Sequence, residues 1–339
     1  MLGTTIDELR LESAMQLRYR PWDSTAASVR FEYSERDEHH SVVLGDQLPV
    51  QSSNDPTRAE ERKNNHTRRT SLASNLSIGL SRSHALSLSG SANLLRYDTP
   101  SIENDDDRDE LWYFLGLNST HHFGQYLTAA VAAELSMMHI VYLGSGRSAN
   151  NTWNRIIRLS PKLSYRMSKD FVTVNTFEVL GNYTAYDFEF PSSDIRSFVY
   201  RHFSFVDSSV LAFTNRLTLS WQGQLKLYEQ GELSWSEFSE RPTSYFEDKM
   251  FAGMISYGIG RGLHFTVGIR FFSQSHYGYQ GSEKQLDRVL RSTGPISELV
   301  YEPGARMLLS IKGWYETQTQ TGQPRRNFTT LTMTFIVNI

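Results

Sequence analysis

The chain has no cysteine, and nowhere in its 339 residues is there a run of about 18 apolar residues. The second absence excludes a bundle of membrane-spanning helices, as does a mean hydropathy of −0.44. It leaves room for a spanning β-barrel, in which only alternate residues meet lipid and the mean stays polar. The missing cysteine fits a compartment where thiols are avoided or oxidised. An excess of one charge is lacking too. Lys and Arg total 34 against 37 Asp and Glu, a net charge of −3, so no nucleic-acid footprint is present. Helical periodicity is nearly absent. The opening MLGTTIDELRLES has neither a basic stretch nor an apolar core, so an exported form would start upstream of Met1.

Period-two alternation, the primary strand signal, recurs from end to end. Leu9, Leu11, Met15, Leu17 and Tyr19 share a parity, with Arg10, Glu12, Gln16, Arg18 and Arg20 between them. Leu127, Ala129, Val131, Ala133, Leu135 and Met137 alternate with Thr128, Glu134 and Ser136. Phe265, Val267, Ile269 and Phe271 alternate with Thr266, Gly268 and Arg270. The closing TTLTMTFIVNI sets Leu331, Met333, Phe335, Val337 and Ile339 against Thr330, Thr332, Thr334 and Asn338. A bare apolar strand face of that kind is an aggregation hazard in water. Against lipid it is at home.

The connections fall into two alternating kinds. One is tight: RPWDS, SRSHA, THHFGQ, RMSKD, WQGQ, GRGLH and EPGA. The other is longer and more polar: Gly45–Arg69, Asp98–Glu110, Gly144–Asn154, Phe188–Arg196, Ser239–Lys249, Gln280–Pro295 and Thr321–Asn327. Short turns at one end and long loops at the other mark a membrane barrel, with runs of about 12 to 20 residues long enough to cross at a tilt. The sequence therefore predicts an all-β, antiparallel up-and-down transmembrane barrel of about 14–16 strands, with short periplasmic turns and longer extracellular loops. The reading makes residues 1–339 a single barrel domain. About 15 runs can be counted. The first already travels towards the turn side, which implies a strand before it and makes the chain the C-terminal part of a longer protein. A miscounted hairpin in Asp194–Trp221 or Gln285–Glu302 is the alternative.

Taking the polar parity as inward predicts a basic wall: Arg10, Arg18, Arg20, Arg30, Arg158, Lys162, Arg166, Arg216, Lys226, Arg270, Arg306 and Lys312, with Glu134 and Glu316 among the opposing acids. Charges in a water-filled lumen stay hydrated, and a basic wall concentrates anions. Arg–Glu ladders filling a narrow barrel would use the same residues. Aromatics near strand ends predict interfacial girdles at Tyr19, Trp22, Trp112, Tyr113, Tyr126, Tyr165, Trp221, Tyr257 and Tyr315.

The whole chain resembles a bacterial outer-membrane β-barrel, on the alternating segments, the turn and loop asymmetry and the terminal strand. That resemblance implies residence in the outer membrane of a Gram-negative cell. It implies contact with outer-membrane lipid and lipopolysaccharide, and recognition of the terminal strand by the barrel-assembly machinery. Ile339 stands where such barrels more often end in Phe or Trp. The segment GSGRSANNTWNR, Gly144 to Arg155, resembles the active-site segment of the outer-membrane phospholipase A family through Gly146, Arg147, Ser148, Trp153, Asn154 and Arg155. Tyr142 and Gly144 stand where that family has its histidine and its nucleophilic serine, so the hydrolase roles do not carry over. No catalytic, cofactor or metal site is expected. The acidic run Asn104–Glu110 lacks calcium-loop spacing, and the basic run Arg58–Arg69 reads as an exposed loop. The leading expectation is a conduit for polar, including anionic, solutes. The alternative is a membrane anchor or assembly component for a further domain, and a lipid-hydrolysing enzyme ranks third.

Overall fold

The computed structural model describes residues 3–43, 56–101, 104–188, 197–234, 239–304 and 307–337. Its strands are β1 (Gly3–Trp22), β2 (Thr25–Val43), β3 (Asn65–Ser81), β4 (His84–Asp98), β5 (Arg108–Phe123), β6 (Leu127–Tyr142), β7 (Thr152–Arg166) and β8 (Phe171–Tyr186). They continue with β9 (Phe198–Ala212), β10 (Leu217–Ser234), β11 (Ser239–Gly260), β12 (Leu263–Gln280), β13 (Glu283–Gly304), β14 (Met307–Gln320) and β15 (Arg326–Val337). A short helix, α1 (Pro56–Glu61), lies between β2 and β3. The strands form one sheet in which each pairs antiparallel with its neighbours in sequence. This is the up-and-down wall of a transmembrane β-barrel, as the alternation predicts.

The register shows why the fold needs no apolar interior. A line of directly opposed residues runs Arg18, Ser28, Asn75, Ser89, Gly116, Glu134, Arg158, Leu180, His202, Tyr228, Phe246, His276, Arg288, from β1 to β13. The opposite face carries lines such as Leu217, Tyr257, Phe265, Leu299, Ile311 and Met333. Its large apolar side chains are exposed, Leu331 at 74% and Met333 at 69%. Only lipid makes such a surface stable: from β2 to β14 the ladders on both sides satisfy the backbone within the sheet, and the apolar face meets hydrocarbon. The polar face is then the inner one.

The turn-side connections are short, as expected, although WQGQ is not one of them: it lies inside β10, and residues 213–216 make that turn. Between β11 and β12, Arg261 (φ 53°) and Gly262 (φ 77°) both take left-handed backbone conformations, the pair that lets a two-residue turn follow the strand twist. At the loop side two expectations fail. Ser239–Lys249 belongs to β11, and β12 passes into β13 through Gly281 and Ser282 alone. Strand ends that project beyond lipid keep their ladder hydrogen bonds but lose the need for apolar side chains. Alternation fades there while pairing continues. The basic run Arg58–Arg69 is not one loop either: it spans part of α1 and the start of β3.

The two outermost strands differ from the rest. Fifteen is odd, so β1 and β15 run in the same direction, and no ladder joins them among the described residues. Both are exposed along nearly their whole length on both faces.

Candidate permeation wall

Register places most of the predicted basic wall on one face. Arg10, Arg18, Arg30, Glu134, Arg158, Lys162, Arg166, Lys226, Arg270, Lys312 and Glu316 all share the parity of the polar line. Arg20 follows a register shift at the end of β1, and Arg216 sits just before β10. Arg306 lies outside the described residues.

At mid-height the wall is a charge ladder across β6 to β9. Arg158 Nη1 donates to Glu134 Oε2 at 3.1 Å. Its Nε stands 3.6 Å from Glu178 Oε2, and Glu178 Oε1 is 2.6 Å from His202 Nε2. Arg158 and the His202 ring are thus each flanked by a carboxylate on a neighbouring strand. Nearer the loops of β1 and β2, Arg36 stands 3.2 Å from Glu8 and 2.7 Å from Glu38, and Arg10 Nε donates to Glu12 at 2.7 Å. Arg30 pairs with Glu32 in the same way.

Towards the turns the pairing stops. Arg18 donates to the neutral Gln16 at 3.2 Å, and Arg20 to the backbone oxygen of Asp23 at 3.4 Å. Among the described residues, no carboxylate lies within ion-pair distance of Arg18, Lys162, Arg166 or Arg216, and all four are exposed. Lys162 and Arg166 project from the same face of β7. These cations form a collar at the turn side of the polar face. Exposed charges like these keep their hydration and their field.

Sequence reasoning missed an aromatic ladder on the same inner face. Tyr200 and Tyr228 lie 6.1 Å apart, Tyr228 stacks on Phe246 at 4.6 Å, and Phe246 lies 4.4 Å from the His276 ring. Aromatic side chains read as lipid-facing in a strand, and only the register shows that these share the face of Lys226. Beside them, Gln274 donates to Asp248 at 2.9 Å.

The expected girdle separates into two levels. Tyr19, Tyr165, Trp221 and Tyr257 take the lipid-facing parity near the turns, and Tyr113 and Tyr315 take it nearer the loops. Tyr126 lies in the turn between β5 and β6, and Trp22 ends β1. Trp112 takes the other parity. It opposes Asn93 and Met138 on the inner parity, because adjacent residues of a strand point to opposite faces.

The phospholipase-like segment forms the loop from β6 to β7. Ser148 Oγ donates to the backbone oxygen of Ser145 at 3.1 Å. His139 is engaged elsewhere, 2.8 Å from Asp187 and stacked on Trp153 at 4.1 Å. In the acidic run, Asp107 accepts from the Thr99 backbone N–H at 2.6 Å, Asp106 pairs with Arg147, and Glu110 accepts from Arg108 at 2.7 Å. These carboxylates hold the loops together.

No protein-family model and no curated protein matches the chain. Among solved structures it is similar to the ferric-catecholate import receptor Fiu from E. coli K12 in its open form, at 12% identity and a TM-score of 0.48. The match covers 98% of this chain and 64% of that one. It is also similar to the siderophore receptor PiuA from Acinetobacter baumannii, at 9% identity and a TM-score of 0.46, covering 98% and 63%. The copper transporter OprC matches at 10% identity and a TM-score of 0.38, covering 96% and 62%. The chain therefore spans less than two thirds of the length of these proteins. At such identities the likenesses bear on neither substrate nor partner.

Proposed function

We propose that the protein is an outer-membrane conduit whose wall favours small anions. The single observation that carries this reading is the turn-side collar of Arg18, Lys162, Arg166 and Arg216, exposed and, among the described residues, unpaired by carboxylates. On the same face Arg10, Arg30, Arg36 and Arg158 are matched by glutamates, and their fields largely cancel. At the collar they add. Unlike charge is concentrated there and like charge is depleted, over a range set by the Debye length, about 10 Å at 0.1 M salt. The collar selects by sign and not by shape, which suits passage of small hydrated anions better than capture of one ligand.

The refolded chain in a planar bilayer, under a tenfold potassium chloride gradient, tests this. The expected reversal potential has the sign of chloride permeation. Absence of conductance, or a reversal potential of the potassium sign, would sink the proposal.

A further inference from the structure

On the lipid-facing side, Lys249, Ser273, Arg291 and Thr319 form one register line across β11 to β14. The next line towards the turns is Phe251, Phe271, Thr293 and Thr317. Small hydroxyl side chains beside two phenylalanines leave a hollow of about 470 Å³, which both cations and both rings line. A hollow of this kind has an apolar floor and a cationic upper edge.

The height of that edge matters. Along β11, Lys249 stands about 20 Å above the Tyr257–Phe265 line, at roughly 3.3 Å per residue and a tilt of about 40°. An apolar band of about 25 Å therefore leaves the backbone of this line about 5 Å short of the opposite boundary, a gap that the long Lys and Arg side chains span. Lys249 has Glu247 at 3.1 Å. Arg291 has no carboxylate within ion-pair distance among the described residues, and it is exposed. Neighbouring strands lie about 4.8 Å apart, so the two cations flank Ser273 at about 10 Å backbone separation. Long side chains from both sides can close on one group seated over that hydroxyl.

We infer that this hollow is a binding site for an acylated lipid whose headgroup carries a phosphate monoester. The phosphate oxygens accept from Arg291, Lys249 and the Ser273 hydroxyl, while one acyl chain lies against Phe251 and Phe271. Charge-assisted bonds from a guanidinium to phosphate are strong and geometrically specific. A zwitterionic phosphodiester is a poorer fit, because its own ammonium would face the two cations. The site is on the outside of the wall and is independent of whether the barrel conducts.

The full chain in a neutral detergent, titrated with bis-phosphorylated lipid A and followed by native mass spectrometry, tests the inference. The wild type should retain the lipid. The double variant K249Q/R291Q should bind it at least tenfold more weakly while keeping its strand signal in circular dichroism. Arg291→Lys should bind about threefold to fivefold more weakly than wild type, between it and the double variant, because the charge remains while the guanidinium's paired donors are lost. Dephosphorylated lipid A should bind the wild type as weakly as lipid A binds the double variant. Equal affinity of wild type and double variant would overturn the site. So would equal binding of the dephosphorylated lipid, or of phosphatidylethanolamine. A change of oligomeric state with lipid capture intact would show that a second copy covers this face, and would equally refute it.

Discussion

Two zones of one wall use arginine in opposite ways. In the mid-height ladder, Arg158 sits between Glu134 and Glu178, and the second of these also meets His202. In the turn-side collar, Lys162 and Arg166 share the strand and the face of Arg158 and, among the described residues, meet no carboxylate. Spacing along β7 does not separate the zones, since Arg158, Lys162 and Arg166 recur every fourth residue on one face of the strand. Cross-strand register does. A cation opposite an acid ties strands together and contributes little field. A cation opposite a hydroxyl contributes field and little cohesion. On the proposed function, holding and selecting are divided between two levels of the same strands.

Charge reversal at the collar should produce the largest change. The variant K162E/R166E puts two acids where two unpaired cations stood. We expect the reversal potential in a salt gradient to change sign. Those side chains are exposed, so the variant should still fold, with an unfolding free energy within about 0.5 kcal/mol of wild type. An unchanged sign would mean that the collar does not border the ion path, and the contrast between zones would lose its functional half. Raising the salt to 1 M should shrink the wild-type selectivity, because the Debye length falls to about 3 Å.

The contrast also marks what one sequence can reveal. Alternation such as Leu127 to Met137 identified strands, because lipid demands apolar residues on one face. It failed at Ser239–Lys249 and Gln280–Pro295, which pair as strands where nothing apolar is required. Parity alone put Arg158 and Lys162 on the inner face, and it could not tell them apart. Their difference depends on Glu134 and Glu178, which are 24 and 20 residues from Arg158 in sequence and adjacent only in register. The aromatic ladder of Tyr200, Tyr228 and Phe246 was hidden for the same reason. A tyrosine on a strand does not declare its face until its neighbours are known. Trp112 and Tyr113 illustrate the cost, since at most one of two adjacent residues can face lipid.

A second difference lies between the two ends of β12, and glycine substitutions sharpen it. Gly262 at the turn side and Gly281 at the loop side both have positive φ, 77° and 65°. A methyl group on Gly262 would run into the carbonyl of Glu302, the residue whose own backbone N–H donates to Gly262 at 2.7 Å. One on Gly281 would meet nothing within 4 Å. Left-handed backbone costs an alanine about 1–2 kcal/mol wherever it occurs. Gly281→Ala should therefore lose about 1 kcal/mol, and Gly262→Ala a further 1–2 kcal/mol, because backbone and not a mobile side chain must yield. Urea-dependent unfolding in detergent would show it. Equal losses would mean that the turn-side hairpin relaxes as freely as the loop-side one.

The smallest effect is expected inside the ladder itself. Arg158→Gln removes the cation from between two carboxylates and leaves Glu134 and Glu178 on strands either side of β7. The side chains are part-exposed, at 41%, 37% and 33% for Arg158, Glu134 and Glu178. Solvent screens most of the repulsion, so the loss should be about 1 kcal/mol rather than the several expected of a fully buried pair. Selectivity should move slightly towards cations, because two carboxylates are released into the lumen, and by less than the collar reversal moves it. The double variant R158Q/E134Q should recover about half of the stability, since one of the two stranded charges is gone. If R158Q shifted the reversal potential as far as K162E/R166E and left stability untouched, the ladder would be part of the selecting surface. The two zones would then be one.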